Sequence, residues 1–190
     1  YNRGLHDQTA IDEFFNPDYE SDLHDPFLLT DMDKGVARIL QAIQQKEKII
    51  IHGDYDADGV TSGVMLYEVL RGLGAQVDVY LPSRQEGGYG MNEKVIKEFA
   101  DRKINLILTT DCGITNVKET ALAKKLGMDV VITDHHSVPE KIPAADAVIN
   151  PSRPDDKYPF KDLAGVGVAF KLVQALKQKL PAGKKLERSE

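Results

Sequence analysis

Apolar residues follow two rhythms along this chain. Met32, Val36, Ile39, Leu40 and Ile43 recur at the spacing of one helical face. Ile49-Ile50-Ile51 is a short β-branched run of the kind found in a strand covered on both faces. It ends in an acidic loop, after which Val60, Val64, Leu66, Tyr67 and Leu70 resume a helical period. The alternation then repeats, predicting strands over 76–81, 105–110, 129–133 and 147–150. Helices are predicted over 92–102, 115–126 and 163–180, with Gly127 closing the second. Thr30 or Asp31 is placed to cap the helix that starts at Met32.

Residues 1–30 keep neither rhythm. They read as an irregular arm with one short helix, packed through its Phe and Leu residues, and His6 and His24 read as surface or packing residues. The tail 181–190 reads as frayed. The whole is an α/β fold: a doubly wound, mostly parallel five-stranded sheet flanked by helices, with an irregular or helical N-terminal arm. Residues 1–47 form the arm and a helix packed on the core, and 48–180 the main domain. The start at Tyr1 is that of an excised piece.

Strand ends carry the chemistry. Asp54, Asp56 and Asp58 follow the first strand, Asp111 the third, Asp134-His135-His136 the fourth and Asn150 the fifth. In an open α/β sheet those ends share one edge, where ligands bind. Residues far apart in sequence therefore converge. Three carboxylates in five residues repel one another unless a cation neutralises them. Asp54-x-Asp56-x-Asp58-Gly59 fits half of a calcium loop, but its twelfth position is Met65 where a bidentate Glu is needed, and a strand precedes it where a helix belongs. Carboxylates with imidazole and no thiolate suit two divalent cations, Mn²⁺ or Mg²⁺, rather than structural zinc. Asp111, on the middle strand, is the candidate bridge between them, and phosphorus the candidate electrophile.

Composition changes this picture little. The 42% apolar and 28% charged residues are ordinary for a globular domain, and no run of apolar residues approaches a membrane span. The single Cys112 forbids an internal disulfide and suits a reducing cytosol. It has no evident base to make it a nucleophile. Net charge is −6, yet setting aside the five aspartates of the site leaves 25 acids against 24 bases, so charge neither supports nor excludes a polyanionic substrate. Two loops stay open. Gly87-Gly88-Tyr89-Gly90 is either a hinge or a loop whose Arg84 clamps phosphate and whose Tyr89 stacks on a base. Gly165-Val166-Gly167 is either a phosphate nest or tight packing.

Together these motifs resemble the DHH phosphoesterase superfamily, named for the triplet seen here as Asp134-His135-His136. The RecJ branch, single-strand-specific 5′→3′ DNA exonucleases, matches best. The resemblance is carried by Gly53-Asp-Tyr-Asp-Ala-Asp-Gly-Val-Thr61, Arg84-x-x-x-Gly88-Tyr-Gly90, Asp111-Cys-Gly113, Asp134-His-His136, Asn150-Pro151 and Leu163–Lys171. It implies that Asp56, with Asp54 beside it, holds the first metal. Asp58 and His135 would hold the second, and Asp111 would bridge both. It implies that His136 contacts the scissile phosphate and assists as an acid, while Asp134 orients its neighbours. His52 matches a metal-ligating histidine that only some relatives keep. The phosphate or DNA contacts would be Arg84, Tyr89, His136, Asn150, Gly165 and Gly167. The partner would be single-stranded DNA, with repair or replication proteins, in a monomeric enzyme of the bacterial cytosol. A further metal-binding aspartate and an OB-fold would follow downstream, and the chain is expected to lack both. The rival readings are a DHH hydrolase of small phosphate substrates (nano-RNA, cyclic dinucleotides, pyrophosphate) and a non-catalytic replication scaffold.

Overall fold

A computed structural model describes residues 5–19, 21–82 and 90–180. Five strands, β1 (Lys48–Gly53), β2 (Gln76–Tyr80), β3 (Leu106–Thr110), β4 (Asp129–Thr133) and β5 (Ala147–Ile149), form one sheet in the order β2-β1-β3-β4-β5. Every pairing is parallel. The helices are α1 (Gln8–Phe15), α2 (Met32–Gln44), α3 (Ala57–Gly72), α4 (Glu93–Asp101), α5 (Val117–Lys125) and α6 (Gly165–Lys179), with a 3₁₀ turn at Pro26–Leu28. Each predicted element is present, with ends shifted by one or two residues.

Alternate strand residues feed two cores. Ile49, Ile51, Leu106, Leu108, Val131, Ala147 and Ile149 face α2, α3 and α6, where Val36, Ile39, Leu66, Leu70, Leu172 and Leu176 cover them. Ile50, Ile107, Val130, Ile132 and Val148 face the opposite layer, closed by Val95, Ile96 and Phe99 of α4 and Ala123 of α5. Burial on both faces is why these strands read as continuous apolar runs. Helix α3 leaves β1 on one face, while α4 enters β3 on the other. The chain reversal between β1 and β3 therefore opens a crevice at their carboxyl ends.

Two local expectations are corrected. Asp31 stands at the start of α2 with φ 63°, but its side chain makes no capping bond. Its carboxylate instead accepts from Arg153 Nη1 at 2.7 Å, Lys34 Nζ at 2.6 Å and the Val148 amide at 3.3 Å, tying α2 to β5. Thr30 donates its amide to Asp156. In the arm, Leu29 is buried and Phe27 packs on the core, but Leu23 and Leu28 are exposed, as are Phe14 and Phe15 of α1, which buries none of its residues. His24 does pack, edge-on to Tyr158 at 5.7 Å.

Arg153→Ala is expected to lower stability by about 3 kcal/mol, since it leaves the part-buried Asp31 with fewer partners. Burial alone raises Asp31, but the bonds from Lys34, Arg153 and Val148 outweigh it and hold the carboxyl below its usual value. A depressed acid stabilises the fold above its unfolded pKa and loses that contribution as pH falls through the folded one. The gap between wild type and Arg153→Ala in urea melts should therefore shrink on acidification below about pH 4. An equal gap at all pH values would contradict the pairing.

Candidate metal centre

The site begins where β1 runs out of ladder partners. Asp54 is 4% exposed, with its carboxylate accepting from the Tyr55 amide at 2.7 Å. Burial raises its pKa. Asp56 caps α3 by accepting from the Gly59 amide at 3.0 Å, a bond that lowers its pKa. The tight loop requires Gly59, since a Cβ there would lie 2.3 Å from the Asp54 carbonyl oxygen. Asp58 points to the start of α6, accepting from the amides of Gly165 at 3.3 Å and Val166 at 3.4 Å.

Asp111 is the centre of the arrangement. It is 1% exposed, in the left-handed region at φ 60°, a strained conformation for a residue other than glycine. Among the described residues no backbone amide or basic side chain donates to its buried carboxylate oxygens with good geometry, and the carboxyl it meets is that of Asp56. His135 Nε2 lies 3.1 Å from Oδ1. Burial, then the carboxylates of Asp56 and Asp58, push its pKa up to about 8. The two facing acids are thus pushed in opposite directions, buried Asp111 up and exposed Asp56 down. A buried carboxyl that neither solvent nor protein satisfies is costly unless something cationic reaches it.

The fourth strand supplies the imidazoles. Asp134, fully buried, accepts from the amides of Ile114, His135 and His136 and from His136 Nδ1 at 2.7 Å. It thereby holds the His136 ring and the backbone at His135. Burial opposes charge on His136, but Asp134, Asp111 and Asp54 together raise its pKa. Ligand atoms of Asp54, Asp56 and Asp111 lie within 4.8 Å of one another, and so do those of Asp111, His135 and His136. Asp111 belongs to both groups. The donor set of carboxylate oxygens and imidazole fits hard divalent cations.

Other expected residues sit elsewhere. Asn150 is fully buried, donating to the His136 carbonyl at 3.0 Å and accepting from the Ser152 amide at 2.8 Å. Its amide thus ties together the loops that follow β4 and β5. Gly165 packs on Asp111: a Cβ there would lie 2.2 Å from Oδ1. Its amide bonds Asp58, and Gly167 packs on Leu163, so tight packing explains this glycine pair. His52 is buried against Tyr80 and Phe99, 3.6 Å from Cys112 Sγ, outside both ligand groups. Desolvation lowers its pKa to about 4. Cys112 is buried and its thiol pushed up by burial and by neighbouring aspartates, which keeps it inert. Arg84 and Tyr89 lie outside the described residues. Ser152 escapes a reading of the sequence, yet its hydroxyl holds the His135 carbonyl at 3.0 Å. The one hint is its place two residues after Asn150, the spacing of an Asx turn.

Comparison with known proteins extends this geometry. The model of the DHH family, N-terminal domain, matches residues 48–189. The chain is 50% identical over 162 residues to the single-stranded-DNA-specific exonuclease RecJ of Bacillus subtilis (strain 168), covering 85% of this chain and 21% of that protein. It is 41% identical over 150 residues to the RecJ of Escherichia coli (strain K12), covering 78% and 26%. The chain thus spans about a fifth to a quarter of these curated relatives. A crystal structure of exonuclease RecJ bound to manganese superposes with a TM-score of 0.73 at 36% identity, over 82% of this chain and 40% of that one. RecJ of Thermus thermophilus in complex with Mn²⁺ gives 0.67 at 34% identity, over 82% and 22%.

Proposed function

The chain belongs to the DHH family, and from that premise we propose that its carboxyl edge is a two-metal phosphodiesterase centre acting on single-stranded DNA from the 5′ end. The observation that carries this reading is Asp111, buried, set among carboxylates and shared by both ligand groups. Asp54, Asp56 and Asp111 would hold one cation. Asp111 and His135, with Asp58 beside them, would hold the other. The relatives solved with manganese or magnesium make those the ions of choice. When bound, the pair supplies the positive charge that stabilises an in-line displacement at phosphorus.

The protein's own groups set the stage for that step. Asp134 fixes the His136 ring and holds a proton on it, keeping a donor ready for the leaving oxygen. The amides at the start of α6 and the left-handed turn at Asp111 hold the acids in one crevice. The long Asp58 bonds are weak ones, so a cation competes with them at small cost. The same reading makes the protein a monomer of the bacterial cytosol working with repair or replication proteins. Among the described residues no helix is long and apolar enough to cross a membrane.

Chelator-treated protein is expected to lose hydrolysis of 5′-labelled single-stranded DNA and to regain it with Mn²⁺ or Mg²⁺. Undiminished hydrolysis in chelator would end the two-metal reading. Faster turnover of dinucleotides than of single-stranded DNA would move the chain to the small-substrate hydrolases.

A further inference from the structure

Helix α1 buries none of its residues. It ends in Phe14 and Phe15, 55% and 73% exposed, whose rings meet edge-to-face at 5.5 Å. Tyr19 follows at 67% exposed. Two adjacent bare phenylalanines on a surface mark an interaction site more often than a scattered apolar residue does. Their surroundings are of one sign. Residues 4–33 contain nine Asp and Glu and no Lys or Arg. A shallow groove of about 490 Å³ beside the aromatic pair is lined by Asp12, Glu13, Asp18 and Asp22, among others. Among the described residues, Asp7, Asp12, Glu13 and Asp22 form no ion pair with any Lys or Arg.

The end of the arm that joins α2 is anchored. Lys171 Nζ donates to the His24 carbonyl at 3.0 Å, the His24 ring packs on Tyr158, and the Thr30 amide binds Asp156. The acidic groove and the aromatic pair thus lie side by side just ahead of an anchored turn. We propose that this face of α1 and the turn after it docks a lysine- or arginine-rich segment of a separate protein, with apolar side chains seated on Phe14 and Phe15.

Charge selects the occupant. Nucleic acid and anionic membranes meet repulsion from every acid in the groove. A second copy of this chain carries net charge −6 and would bring the same acidic arm to a two-fold interface. A basic segment satisfies both halves of the surface. Its cations pair with Asp12, Glu13 and Asp22, and an arginine also stacks on an aromatic ring. Such a site steers its partner electrostatically and takes its specificity from the apolar anchor.

The test uses fluorescence anisotropy with a short lysine-rich peptide carrying two leucines one helical turn apart. Because α1 has no buried residue, its variants keep the fold, which circular dichroism verifies. The double variant Phe14→Ser/Phe15→Ser is expected to weaken binding roughly tenfold or more, and Asp12→Asn/Glu13→Gln to weaken it and flatten its salt dependence. Glu98→Gln/Asp101→Asn, which removes two acids from α4, should leave binding unchanged. Equal loss in the α4 variant would reduce the effect to general charge and overturn the proposal. So would an unbound peptide, or affinity indifferent to Phe14 and Phe15. A concentration-dependent dimer abolished by Phe14→Ser/Phe15→Ser would assign the face to a second copy and overturn it as well.

Discussion

Asp111→Asn is expected to abolish Mn²⁺ binding and hydrolysis while making the metal-free protein more stable. Asparagine keeps the shape of aspartate, so it fits beneath Gly165, and it tolerates the left-handed backbone at φ 60°. What it removes is charge. In the absence of cations the fold must either bury an unsatisfied carboxylate beside Asp56 and Asp58 or keep it protonated. The sign follows from linkage. An acid whose folded pKa is raised to about 8 costs nothing while both states are protonated. It then costs progressively more as pH rises from its unfolded value toward the folded one. Chelated wild type should therefore lose stability between about pH 4 and pH 8 relative to Asp111→Asn, by an amount on the order of a few kcal/mol at the upper end. With saturating Mn²⁺ the order should reverse, because only the wild type gains binding free energy. Thermal melts with and without chelator measure both halves. A variant no more stable than wild type in chelator would show that Asp111 carries no electrostatic cost.

Gly165→Ala is expected to be nearly as damaging to the site, although it changes no charge. The added methyl would lie 2.2 Å from Asp111 Oδ1, 2.6 Å from Cγ and 2.8 Å from Cβ. Oδ1 ends a short side chain that can turn, but Cβ is fixed to the backbone. Either α6 backs away, breaking the Asp58 contacts with the Gly165 and Val166 amides, or Asp111 rotates out of both ligand groups. Overpacking of this kind costs about 1–3 kcal/mol of stability. Displacing a ligand by about 1 Å costs roughly a hundredfold in rate. Gly167→Ala is the control, because its nearest neighbour is the tip of the Leu163 side chain, Cδ2 at 3.2 Å, and no metal-site atom. If the two variants behave alike, the close approach of α6 to Asp111 is irrelevant to the site.

These two residues also show where sequence reading works and where it stops. The run Asp129–Thr133 is legible as a strand because both its faces are covered, and its end at Asp134 follows directly. Asp54, Asp56, Asp111, His135 and His136 are legible as one cluster because parallel strands must present their carboxyl ends together. What escapes depends on partners distant in sequence. Asp31 reads as a helix cap, but Arg153, 122 residues away, takes its carboxylate. Asn150 reads as a phosphate contact, but the carbonyl of His136 occupies its amide. Gly165 offers two readings at the level of sequence, and only the position of Asp111 decides for packing. Phe14 and Phe15 read as residues that pack the arm, yet the eight-residue α1 buries none of its residues and leaves both exposed.

That one buried aspartate joins two cation sites is tested most directly by counting Mn²⁺ bound per chain with electron paramagnetic resonance, in wild type and in Asp111→Asn. Two ions are expected in wild type, with the spectral broadening of a coupled pair, and the loss of both together on the single substitution. Binding in Asp111→Asn at the wild-type count and affinity, or the clean loss of one ion with the other untouched, would contradict it.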